Sequence, residues 1–218
     1  IHAPTGTGKT YAVWVPPLAE WMSELDKPRQ RKTAPGLQVL WITPLRALVE
    51  DTKISLTELC EDLDVPWTVE ARTGDTPGAL KARQRRRLPS CLVTTPESLS
   101  LLLSYPDFKE SASGLKAVIV DEWHELLATK RGSQTELCLA RLRKWNPSLR
   151  TWGLSATLGN METAMSALLG TSANGTLVRG SLKKKFHILL FLISHASPIS
   201  LPKLAALNCG LLLGRYFQ

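Results

Sequence analysis

Long hydrophobic runs are largely missing from this 218-residue sequence. The apolar run Phe186 to Ile193 is far shorter than the ~20 residues that a membrane span requires, so no membrane partner is expected. Cysteine is scarce as well. Cys60, Cys91, Cys138 and Cys209 stand far apart with no CxxC pair, which argues against a zinc site and against a disulfide framework. A reducing, cytoplasmic setting is the default expectation, and no secretory signal precedes the first motif. The 44% hydrophobic and 21% charged residues exclude a disordered or fibrous chain. The net charge of +8 is an attraction to phosphate polyanions, and it gives mild support for a nucleic-acid partner.

Ala3-Pro4-Thr5-Gly6-Thr7-Gly8-Lys9-Thr10 has the spacing of a phosphate-binding loop, with Ala in place of the first Gly. Gly6 and Gly8 let the backbone curl so that successive N–H groups face a phosphate, and a helix starting near Lys9 adds its positive dipole end. Thr5 to Thr10 are therefore the candidate ATP site. Lys9 would reach the β/γ-phosphates and Thr10 would ligate Mg²⁺. Such a loop normally follows a buried strand, and only Ile1 and His2 stand before it, so an upstream strand is expected to be missing.

Tyr11 to Met22 has the apolar spacing of a helix, which Pro16-Pro17 is expected to kink or to end. Ser23 to Gly36 reads as a solvated loop. Five strand-then-helix units are then expected. Gln38–Thr43 precedes a helix through Cys60, with Thr43 as its cap and Pro44 in its first turn. Thr68–Ala71 precedes Thr76 to Arg87, Cys91–Thr94 precedes Pro96 to Leu103, Ala117–Val120 precedes a helical stretch, and Thr151–Leu154 precedes Asn160 to Leu169. This alternation predicts an α/β fold, a doubly wound parallel β-sheet with helices on both faces and a functional edge at the strand C-termini.

Asp121-Glu122-Trp123-His124 follows the apolar strand AVIV, which sets its carboxylates at that edge. Asp121 is the candidate Mg²⁺ residue and Glu122 the candidate base for the attacking water. Ser155-Ala156-Thr157 ends the next strand, and its hydroxyls can bond the acidic cluster and sense the γ-phosphate.

APTGTGKT, TPLRAL, RTGDT, TTPES, DEWH and SAT together resemble motifs I, Ia, Ic, Ib, II and III of superfamily 2 helicases, in the right order over residues 3 to 157. DEWHEL, TTPESL and TPLRAL are most similar to the ligase-associated DExH-box helicases and their large helicase-related kin. That resemblance implies a RecA-like first motor domain of the P-loop NTPase class, acting on DNA in repair, with Lys9, Asp121, Glu122, His124, Ser155 and Thr157 as its catalytic set. It also implies a groove in which Thr43, Pro44, Arg46, Thr73, Gly74, Thr95, Pro96 and Glu97 grip a sugar–phosphate backbone. An arginine can fork onto a phosphate, and helix starts after Thr43, Asp75 and Thr95 would point dipole ends at it. The basic run Lys81 to Arg87 reads instead as a solvated face.

The domain expectation is a helicase ATP-binding unit over 1–175, a linker over 176–188 toward a missing second RecA-like domain, and an atypical Leu-rich tail over 189–218 that looks truncated or frame-shifted. The second domain would be a partner supplying an arginine finger. RNA as the polymer, or a nucleotide- and nucleic-acid-binding remnant without turnover, remain open alternatives.

Overall fold

The structure is a computed structural model, and it describes residues 1, 8–24, 33–156, 160–170 and 175–180. Five short strands, β1 (Val39–Ile42), β2 (Val69–Arg72), β3 (Cys91–Thr94), β4 (Ala117–Val120) and β5 (Arg150–Gly153), form one sheet in the order β2-β3-β1-β4-β5. Every pairing is parallel, with Val39 level with both Cys91 and Ala117. Parallel neighbours need crossovers, and the helices that make them cover both faces.

Alternation along the strands divides the core. Val39 and Trp41 of β1, with Cys91, Val93, Ala117 and Ile119, face α1 (Lys9–Glu24) and α2 (Arg46–Asp62). Leu40 and Ile42, with Leu92, Val118 and Val120, face α4 (Pro96–Ser104), α7 (Lys130–Trp145) and α8 (Met161–Leu169). Three more helices complete the elements among the described residues: α3 (Gly78–Arg86), α5 (Phe108–Ser111) and α6 (Trp123–Leu126). Central strands buried on both sides read as near-continuous apolar runs, and this is how VLWI, CLVT and AVIV appear.

The structure corrects several local expectations. Helix α1 runs through Pro16 and Pro17 without ending. Those prolines remove the N–H groups that would bond Ala12 and Val13. The apolar face outweighs the loss: Val13, Trp14, Pro17, Leu18 and Trp21 are all buried, and burial of such side chains contributes about 1.5–3 kcal/mol each. Trp14 also meets Trp67 edge-on at 5.5 Å and donates its indole N–H to Leu56 O at 3.3 Å. Helix α2 begins at Arg46 after Leu45, so Thr43 is not its cap and Pro44 is not in its first turn. Thr43 instead extends the ladder, donating its N–H to Thr94 O at 3.0 Å. Helix α3 likewise starts at Gly78, after a turn in which the Thr76 hydroxyl accepts from Thr73 N at 2.9 Å. Asn160 caps α8, its side chain accepting from Thr163 N at 3.1 Å.

Candidate functional site: the polar edge of the sheet

The strand C-termini finish level. Asp121 N donates to Ile42 O at 2.8 Å, Leu154 N to Val120 O at 2.9 Å, and Trp123 N to Leu154 O at 2.8 Å. Beyond β5, Ile1 brackets Leu154, donating from its N to Gly153 O at 2.6 Å and accepting from Ser155 N at 3.0 Å. Ile1 thus lies alongside the end of β5, next to Ser155. Thr5, Gly6, Thr7 and Thr157 lie outside the described residues, as does the chain beyond residue 180. Of the loop, Gly8 is described with φ +76°, a left-handed conformation suited to glycine, and Lys9 and Thr10 open α1.

Asp121 and Glu122 are both half-buried. Burial pushes the Asp121 carboxyl above its ordinary pKa, and the neighbouring Glu122 carboxylate pushes the same way. Three groups oppose this: the Glu122 N–H, which donates to Asp121 Oδ1 at 2.9 Å, the Lys9 charge and the Trp41 indole. That indole N–H is fully buried and makes no hydrogen bond, so it bears on the carboxyl from a distance. Lys9 and Asp121, 112 positions apart, therefore sit within electrostatic reach across one site. An ionised carboxylate near the Lys9 ammonium, with the hydroxyl of Thr10 following Lys9 at the start of α1, is a donor set whose chemistry fits Mg²⁺ with bound phosphates.

Glu122 adopts φ +43° and ψ +47°, a left-handed conformation that is strained for a residue with a side chain. This backbone aims Glu122 Oε2 at His124 Nδ1, 3.3 Å away, and the same nitrogen lies 3.1 Å from Ser155 Oγ. His124 Nε2 approaches Glu125 Oε1 at 3.4 Å. Oε2 of Glu122 is buried and has no hydrogen bond. One imidazole thus stands between the candidate base and the strand-end serine, which lies 31 residues beyond His124 in sequence, and can donate to one or accept from the other according to its tautomer. Trp123 points away into the core, where its indole donates to Ala164 O at 2.9 Å.

The residues expected in a nucleic-acid groove divide by burial. Thr43, Pro44, Thr95 and Pro96 are buried, and Thr95 Oγ1 donates to Ser98 Oγ at 3.4 Å. Arg46, Gly74 and Glu97 are exposed. Arg46 Nη1 contacts both Asp75 oxygens, at 2.9 and 3.2 Å, and its guanidinium lies over Gly74, where a Cβ would come within 3.1 Å of Nη2. Thr73 Oγ1 accepts from Asp75 N at 3.2 Å, and Lys81 Nζ donates to Gly74 O at 2.7 Å. Glu97 forms an ion pair with Arg131 at the start of α7. Burial would raise the Glu97 pKa, but the Arg131 hydrogen bonds and backbone N–H groups lower it further than burial raises it. Asp75, Lys81 and Arg131 were not among the expected contacts. A carboxylate such as Glu97 among residues expected to contact phosphate is itself the sequence signal that a cation should stand nearby.

The basic run on α3 is mostly occupied. Arg83 pairs with Glu70 at 2.7 Å, Arg85 pairs with Asp107 and covers the Tyr105 ring at 4.3 Å, and Gln84 is buried against Glu70 and Ala71. Arg86 and Arg87 are exposed.

Residues 1–165 match the DEAD/DEAH box helicase family. The chain belongs to that family. It is 35% identical to the ATP-dependent helicase Lhr-Core of Methanocaldococcus jannaschii over 86% of its own length and 23% of that protein's. It is 34% identical to the Lhr helicase/uracil glycosylase of Escherichia coli over 82% of its length and 12% of that protein's. Among solved structures, the Mycobacterium smegmatis helicase Lhr bound to ssDNA and AMP-PNP aligns with TM-score 0.66 and 35% identity, covering 83% of this chain and 23% of that one. The helicase MrfA aligns with TM-score 0.63 at 22% identity, which speaks for the RecA-like fold alone. This DEAD/DEAH box chain spans less than a quarter of the length of those Lhr relatives. Among the described residues no helix is long and apolar enough to cross a membrane.

Proposed function

We propose that this chain is the ATP-binding first motor domain of an ATP-dependent DNA helicase or translocase of the Lhr kind, which works in the cytoplasm and serves DNA repair. The observation that carries the reading is the convergence of Lys9, Asp121, Glu122, His124 and Ser155 at one sheet edge. Lys9 and the loop amides of Thr5 to Gly8 would bind and orient the triphosphate, and Thr10 and Asp121 would hold Mg²⁺, which would supply charge neutralisation. Glu122 accepts the proton of the attacking water. His124, between Glu122 and Ser155, passes the state of the nucleotide edge to the serine and onward to Thr157.

Residues 1–175 make up the motor domain in this reading, and 176–188 lead toward a second RecA-like domain. That second domain supplies the arginine finger, a group worth about 10³–10⁵ in rate in related phosphoryl-transfer sites. The chain by itself therefore hydrolyses ATP slowly and separates no strands. DNA is favoured over RNA because the Lhr neighbour with single-stranded DNA shares 35% identity with this chain. Calorimetric titration with Mg²⁺–ATP tests the centre of this reading. The parent chain should bind, and Lys9→Ala should bind at least tenfold more weakly, because a phosphate then loses its charged partner. Equal affinities would sink the assignment.

A further inference from the structure

We propose that Arg131 is a phosphate ligand of the nucleic-acid groove and that Glu97 is the residue that positions it; this rests on the groove reading of Arg46 and its neighbours. The argument begins with what a carboxylate can do. Glu97 is exposed at the start of α4, where the groove would meet a polyanion, and an ionised carboxylate there repels phosphate. Its pKa is held low, so protonation does not remove the problem. The structure gives it another task. Arg131 Nε donates to Glu97 Oε1 and Nη2 donates to Oε2, at 2.5 and 3.2 Å, so the carboxylate grips the guanidinium along one side.

A guanidinium carries five N–H groups in a fixed plane, and this side-on grip uses two of them. Three remain, on Nη1 and the far side of Nη2, and they form the end-on fork that matches two phosphate oxygens. The Arg131 side chain is 37% exposed, so that fork is neither sealed in the core nor free to wander. Its backbone is fixed too. Thr129 caps α7 by accepting from Gly132 N at 3.1 Å, and Thr135 Oγ1 donates to Arg131 O at 2.8 Å.

The arrangement repeats one already described at the same sheet edge. Arg46 follows β1 and is held by Asp75, which follows β2; Arg131 stands beyond β4 and is held by Glu97, which follows β3. In both pairs the acid belongs to a different strand end from the arginine. Each costs side-chain freedom, and an exposed pair returns only about 0–1 kcal/mol of stability, so fold stability is a poor reason for building two of them at one edge. Pre-aimed arginines, whose ordering cost is met before a strand arrives, are a better one.

The test is fluorescence anisotropy of the 218-residue chain on a labelled single-stranded DNA across a salt series, with thermal midpoints recorded as a check on folding. Arg131→Ala should weaken binding roughly tenfold at low salt and flatten the log–log salt slope by about 0.7, the value for one lost single-strand phosphate contact. Arg131→Lys should restore the slope and only part of the affinity, because the charge returns without the fork. Glu97→Ala discriminates by sign: it makes the chain more positive by one, yet it should weaken binding about threefold because the fork loses its support. Glu97→Gln, whose amide oxygen still accepts from Nε, should recover most of that loss.

Tighter binding by Glu97→Ala would show that Glu97 merely repels the strand and would overturn its positioning role. An unchanged slope for Arg131→Ala, with Arg46→Ala flattened, would overturn the assignment of Arg131 and leave the groove standing. No salt-dependent binding by the parent would remove the groove and this proposal together.

Discussion

The two halves of the sheet edge solve opposite problems. On the nucleotide side, Asp121, Glu122, His124 and Ser155 are half-buried or buried, one backbone is left-handed, and a buried carboxylate oxygen of Glu122 lacks a hydrogen bond. On the groove side, Arg46, Asp75, Glu97 and Arg131 form ion pairs open to water, with side chains between 37% and 74% exposed. The first half stores unfavourable terms that a bound ligand can relieve, and the fold must hold them in place. The second half holds little energy, and its charges can be exchanged for phosphates at small cost. On the proposed function, chemistry in water-poor surroundings would call for the former, and a strand that is gripped and released would call for the latter.

The comparison breaks most severely at the junction of the halves. Gly132 opens the helix that carries Arg131, and a Cβ there would come within 2.1 Å of Leu126 O, in the helix that carries His124. A backbone oxygen cannot step aside as a flexible side chain can. Gly132→Ala should cost about 3 kcal/mol, a drop of roughly 6–12 °C in the unfolding midpoint for a domain of this size. A calorimetric midpoint within a degree of the parent would mean that the two helices are not in fact wedged together.

A smaller effect, of opposite sign, sharpens the nucleotide half. Because burial raises the Asp121 pKa, the folded chain holds that proton more tightly than the unfolded chain does, and ionising it works against folding. Asp121→Asn should therefore raise the midpoint of the nucleotide-free chain at pH 7 by about 2–4 °C, while removing the further rise that Mg²⁺–ATP gives the parent. The sign fixes the pH window. The advantage should be complete above the folded pKa and fade as pH falls through it toward the ordinary value of 3.8. Thermal scans from pH 4 to pH 8 read it directly, and a destabilised Asn variant at pH 7 would contradict the account.

The smallest stability effect belongs to the groove. Arg46 and Asp75 are 60% and 74% exposed, so Arg46→Ala or Asp75→Ala should move the midpoint by less than about 2–3 °C. Arg46→Ala should nevertheless flatten the salt slope for single-stranded DNA. A large stability loss would place this pair with the buried half and undo the contrast.

Much of the nucleotide half was legible in the sequence, because a short apolar run ending in two acids has few structural meanings after a phosphate loop. Asp121 and Ser155 stand at strand ends as AVIV and TWGLSAT implied, although β5 itself begins at Arg150, one residue early. The partnership of His124 with Glu122 and Ser155 was not legible, since it depends on a left-handed turn that no residue type announces at Glu122. Local chemistry misled where tertiary packing decided the outcome. Pro16-Pro17 reads as a break, but the helix they interrupt is anchored by Trp14 and Trp21 on Trp67, far away in sequence. Thr43-Pro44 reads as a cap, but sheet pairing claims Thr43 and delays the helix to Arg46. The groove was legible only through its motifs, because a charged pair such as Glu97 and Arg131 spans 34 residues and leaves no periodic trace.

Trp123 ties these regions together mechanically. Its indole N–H is bolted to the carbonyl of Ala164 in the middle of α8, while its backbone N is bolted to Leu154 at the end of β5 and its peptide neighbour is the left-handed Glu122. Helix α8 is the last helix among the described residues. The indole is thereby a rigid link between the middle of α8 and the residue that follows Glu122, so the packing of α8 and the left-handed turn share one side chain.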